Sequence, residues 1–110
     1  MRTTLLLVLV LGGVAHATEP PPDARLYAER CSGCHGDQGG GDGPAAAALI
    51  PPPRNFRDAA LWRDRTFEQM RTVVKKGKPG TMMPPFDGVL TDAEIDAVTH
   101  FVQRFAPPAK

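Results

Sequence analysis

Cysteine is scarce in this 110-residue chain: there are two, Cys31 and Cys34. A disulfide framework of the growth-factor or knottin kind needs more, so another kind of staple must hold the fold. An excess of one charge is missing as well. Thirteen Lys+Arg stand against twelve Asp+Glu, a formal +1, which excludes a strongly basic nucleic-acid binder. The apolar run Leu5 to Val14 falls short of the ~20 residues needed to cross a bilayer. No segment alternates apolar and polar residues over strand length, so the expected class is all-α.

The residues that are abundant fit one small domain. Hydrophobic residues make up 42%, enough for a modest core, while twelve Pro and eleven Gly require long ordered loops. Met1 and Arg2, the apolar run, and Ala15-His16-Ala17 form the three parts of a signal peptide, residues 1–17, cleaved after Ala17. Cleavage removes Arg2 and no acid, leaving a formally neutral chain with no stable membrane insertion. Residues 18–22 read as a flexible lead-in and 23–110 as the folded domain. Export to the periplasm is expected. There, two free thiols oxidise or carry something.

Helix signals recur along the domain. Pro22 and Asp23 open a helix expected to run through Leu26, Tyr27, Arg30 and Cys31 and to stop near Gly36. Gly36 to Gly43 holds five glycines and reads as a loop. Ala45 to Ile50 allows a short helix before Pro51-Pro52-Pro53. Thr66 with Gln69, and Thr91 with Glu94, are capping boxes. The first opens a helix carrying Phe67, Met70, Val73 and Val74, stopped by Gly77; the second opens one carrying Ile95, Val98, Val102 and Phe105. About three main helices are expected, with loop from Gly36 to Arg65. Between Gly77 and Asp87, Pro79, Gly80, Pro84 and Pro85 exclude regular structure.

Cys31-Ser32-Gly33-Cys34-His35 is the C-x-x-C-H pattern of c-type haem attachment. On a helical turn, residues three and four apart share a face, so two thiols and an imidazole can meet one flat ligand. The thiols would form thioethers with the haem vinyl groups, and His35 would take one axial position on the iron. One covalent haem c would be the missing staple. A thioredoxin-like pair would follow a strand, and a zinc site would need more ligands than His100 supplies. A plain disulfide is the third alternative. For the other axial position the chain offers His100, Met70, Met82 and Met83. Met70 falls in register with the apolar face of its helix and reads as core; His100 lies off the stripe of its helix and reads as surface. That leaves the Met82-Met83 pair.

In sum these motifs resemble a monohaem class I cytochrome c of the small periplasmic bacterial kind, over residues 23–106. The resemblance rests on Leu26-Tyr27 ahead of the haem motif, Gly41-Asp42-Gly43-Pro44, Pro51-Pro52-Pro53-Arg54-Asn55-Phe56, Gly77 through Phe86, and Leu90 through Ile95. It implies the cytochrome c fold, with the first and last helices crossing near Tyr27 and Phe101. It also implies Met83, the Met directly before Pro84, as the second axial ligand, so that the metal ligands are His35 and Met83. Arg54 and Trp62 become expected donors to the haem propionates, against a surface Arg and a packed Trp. The glycine loop is expected to wrap the haem.

The function so implied is electron transfer by a monomeric carrier between a redox protein donor and acceptor, without catalysis or nucleic acid. The alternatives are a haem enzyme or gas sensor with an open iron site, or a dedicated cytochrome subunit of a larger redox complex. Arg71, Lys75, Lys76 and Lys78 precede the methionine loop. They read either as a charged docking patch near the haem edge or as a solvated helix end.

Overall fold

The structure, a computed structural model, describes residues 9–14 and 21–108. Most of the expected signal peptide and lead-in lies outside the described residues. The helices are α1 (Pro22–Arg30), α2 (Ser32–His35), α3 (Ala59–Asp64), α4 (Phe67–Lys76) and α5 (Asp92–Gln103). A 3₁₀ turn spans Ala46–Ala48. Among the described residues there is no strand, only an isolated bridge between Asp87 and Leu90. None of the described helices is long and apolar enough to cross a membrane.

Both capping boxes form. Thr91 Oγ1 accepts the Glu94 N–H at 3.1 Å, and Glu94 Oε1 accepts the Thr91 N–H at 3.0 Å. Thr66 and Gln69 repeat the arrangement on α4, which ends at Gly77. Each such cap is worth ~1 kcal/mol. Ile95, Val98 and Val102 of α5 are buried together with Leu26 and Tyr27 of α1. Tyr27 meets Phe101 at a ring distance of 5.0 Å and Phe105 at 5.2 Å, so the first and last helices cross where the resemblance implies. α4 is clamped to α5 and its flanking loop by ion pairs: Arg71 to Asp96 and Asp92, Lys75 to Asp92, Lys76 to Asp87.

Three local expectations need correction. The first helix does not run unbroken to Gly36 but breaks at Cys31 (φ −123°, ψ −38°) before α2 begins. Ser32 Oγ donates to the Ala28 carbonyl at 2.7 Å, competing for the acceptor that an unbroken helix would give to the Ser32 N–H. The Ala45–Ile50 segment shrinks to its 3₁₀ turn, since Pro51 biases Ile50 away from helical backbone and a run that short cannot nucleate alone. Finally, the stretch before Arg65 contains α3. Asp58 Oδ1 caps it by accepting the Ala60 N–H at 3.0 Å, and Leu61 is buried beneath it, contributing ~2 kcal/mol.

Candidate haem site

The break at Cys31 places α2 along one wall of a cavity of about 300 Å³. Cys31, Cys34 and His35 line it, as do Met82 and Met83 of the loop after α4. Every residue expected to hold haem therefore borders one space. Both thiols are unbonded. Burial, with a smaller contribution from Cys34, pushes the Cys31 thiol up to about 12.

His35 presents its imidazole with one nitrogen already engaged. Nδ1 lies 3.0 Å from the Arg54 carbonyl, which can only accept, so Nδ1 carries the proton and Nε2 keeps a lone pair. Burial lowers the pKa of the ring, against a smaller opposing effect of that hydrogen bond, and keeps the imidazole neutral. A neutral imidazole with its other N–H held by a carbonyl is the form that binds a metal.

The methionine loop is braced by its own polar groups. Thr81 Oγ1 donates to the Lys78 carbonyl at 2.7 Å and accepts the Met83 N–H at 3.1 Å. The Lys78 N–H donates to the Met83 carbonyl at 3.3 Å. Gly77 has φ +73°, and a Cβ there would lie 2.8 Å from the Met83 carbonyl oxygen, so the close approach needs glycine. The two methionines differ in exposure. Met83 is half-buried and packs on the core, while Met82 is 70% exposed.

The other expected participants divide. Met70 packs against the core and also borders the cavity. His100 is exposed, stacked on Phe67 at 4.4 Å, and does not line the cavity. Arg54 lines it together with Arg30, Arg65 and Lys78, and no carboxylate is among the lining residues. The expected role of Trp62 is not supported: its indole N–H donates to the Phe56 carbonyl at 2.6 Å, and it is absent from the lining. The half-buried indole N–H thus has its partner in the backbone.

One further expectation is corrected. No residue of Gly36 to Gly43 lines the cavity, so the glycine loop packs behind His35. There Gly36 accepts the Tyr27 hydroxyl at 2.6 Å, and burial raises the Tyr27 pKa by disfavouring the phenolate. Of the four cations that precede the methionine loop, Lys78 lines the cavity, while Arg71, Lys75 and Lys76 form ion pairs with Asp96, Asp92 and Asp87. Leu61 and the fully buried Thr99 also border the cavity and were missed from sequence. The Asp58-Ala59-Ala60-Leu61 cap pattern was the available signal for Leu61, and the four-residue step from Ile95 for Thr99.

Residues 20–102 match the family described as cytochrome c oxidase, cbb3-type, subunit III, and the chain belongs to this family of c-type cytochrome domains. It is 38% identical over 105 residues to the dihydro-heme d1 dehydrogenase of Pseudomonas aeruginosa, covering 94% of this chain and 19% of that protein. It is 36% identical over 73 residues to cytochrome c4 of Thiocapsa roseopersicina, covering 66% and 36%. The chain thus spans about a fifth and about a third of these curated relatives. Among solved structures it resembles the KustC0563 c-type cytochrome, with TM-score 0.65 and 29% identity over 77% of this chain and 98% of that one.

The cofactor of the family is covalently bound haem c. The donor set fits it: two unbonded thiols, a neutral imidazole with Nε2 unengaged, and a half-buried thioether border one space. The other walls are largely apolar, as a porphyrin face requires, and the four cations suit its propionates.

Proposed function

We propose that this chain is a one-electron carrier in which Cys31 and Cys34 hold haem c through thioethers while His35 and Met83 ligate its iron. The observation that carries this reading is that all four side chains border a single cavity. When bound, haem c supplies a ferric/ferrous couple. The Arg54 carbonyl orients the His35 ring and fixes its tautomer. Thr81 fixes the backbone from which Met83 projects, and the half-buried position of Met83 favours it over the exposed Met82. A thioether ligand favours the reduced state and leaves no open position for substrate, so the chain itself catalyses nothing.

The carrier is proposed to be periplasmic and monomeric and to exchange electrons with a protein donor and acceptor. A second reading, a dedicated cytochrome module of a larger redox assembly, is favoured by one observation. In the dihydro-heme d1 dehydrogenase the matched region is only 19% of the protein, so a like domain works there within a longer chain.

The test is an optical spectrum of the reduced protein expressed with periplasmic haem attachment, before and after carbon monoxide. Sharp c-type bands unchanged by the gas are expected. A spectrum rapidly converted by carbon monoxide would instead indicate an open iron site and the enzyme or sensor alternative.

A further inference from the structure

The glycine loop, Trp62 of α3 and Phe105, just past the end of α5, all converge on one residue beside His35. Phe56 is buried, and its ring stacks on the His35 imidazole with centroids 4.3 Å apart and planes 18° apart. The Phe56 N–H donates to the Gly39 carbonyl at 2.7 Å, and its carbonyl accepts the Trp62 indole N–H at 2.6 Å. The far side of the cluster is closed by Phe105, nearly parallel to Phe56 at 6.4 Å. Phe105 presses on Gly39, where a Cβ would lie 2.6 Å from the ring at φ +72°.

An imidazole on a helix turn keeps freedom about two side-chain torsions. The Nδ1–H bond to Arg54 fixes the direction in which one ring edge points, but it leaves the ring free to tilt about that bond. A parallel ring at 4.3 Å removes the tilt. Phe56 can do this only if its own backbone is immobile, which the Gly39 and Trp62 hydrogen bonds provide.

We propose that Phe56 is a positioning residue that sets the plane of the His35 imidazole, and that Trp62 acts through it by holding the Phe56 backbone. The inference rests on the reading of His35 as an iron ligand. The indole is thereby assigned a role on the histidine side of the site.

Electron paramagnetic resonance of the oxidised holoprotein tests this, because g-anisotropy reports the orientation of the axial ligand planes. Exchange of the His35 Nδ1–H supplies a second readout. Phe56→Leu should shift or split the wild-type signal and speed Nδ1–H exchange by ~10-fold, as the ring gains local freedom. Phe56→Tyr should restore the wild-type pattern. Trp62→Phe should move both readouts in the same direction and by less. Phe101→Leu is the packing control: it disrupts the contacts with Tyr27 and Phe105 and should lower thermal stability while leaving the signal unchanged. A single wild-type signal in Phe56→Leu, or an equal displacement in Phe101→Leu, overturns the inference. A wild-type protein with no iron–imidazole signal overturns the ligand assignment together with it.

Discussion

The two sides of the cavity are built by different means. On the His35 side, the ligand candidate lies on a helix and is held by a backbone carbonyl and a stacked ring, behind which lie the glycine loop and Phe105. On the Met83 side, the candidate lies on a loop braced chiefly by Thr81 and by the pair between Lys78 and Met83, with the exposed Met82 beside it. A helix-borne ligand is held by the fold, whereas a loop-borne ligand depends on the bond it makes. The histidine side should therefore govern whether the protein folds around its cofactor, and the methionine side how the bound iron behaves.

The largest effect is expected on the first side. Replacing both Cys31 and Cys34 with Ala should abolish covalent haem and leave the chain largely unfolded by circular dichroism, because a ligand bound only to the native state stabilises it. Haem-free protein with native helix content and cooperative melting would break the contrast.

Next in size is the methionine side. Met83→Ala should keep covalent haem, lose the weak long-wavelength absorption of sulfur–iron ligation, lower the midpoint potential and admit carbon monoxide. Met82→Ala should do none of these. If spectra of the two variants exchange these roles, the ligand is Met82.

Glycine substitutions compare the sides directly. Gly39→Ala must accept positive φ and a contact with the Phe105 ring, and should cost ~2–3 kcal/mol in denaturant unfolding. Gly80→Ala, at φ +78° with open space around the added carbon, should cost only ~1 kcal/mol. Equal losses would mean that the loop is packed as firmly as the histidine side.

The smallest effect concerns the clamp between α4 and α5. The Lys75 ammonium bonded to Asp92 holds the Asp92 carboxyl below its ordinary value of 3.8, with Arg71 adding to this. The folded state thus binds that proton less readily than the unfolded chain. The contribution is present above the ordinary carboxylate range and is lost as pH falls through the folded pKa. Acid titration of stability should show Asp92→Asn slightly less stable at neutral pH, with the difference closing in acid. A constant difference across pH would assign the loss to packing.

Much of this was legible in the sequence because its signals are local. The capping boxes at Thr66 and Thr91, the stop at Gly77 and the spacing of Cys31, Cys34 and His35 all depend on residues within a few positions of one another. What was not legible depends on long-range contact. The Ser32 hydroxyl competing for the Ala28 carbonyl breaks a helix whose pattern reads as continuous. The Trp62 indole chooses the Phe56 carbonyl, and the cations of α4 find acids 11 to 25 residues away, which no periodicity encodes. The glycines between Gly36 and Gly43 announced close approach, and only the fold shows that the approaching groups include Phe105 and the Tyr27 hydroxyl, away from the cavity.

The most direct test of the central claim, that Cys31 and Cys34 carry haem c, is the mass of the chain under denaturing conditions followed by mapping of the peptide containing Cys31 through His35. The expected result is one haem added to the polypeptide mass and retained on that peptide. A mass equal to the bare polypeptide, from cells shown to attach haem to another c-type cytochrome, would contradict it.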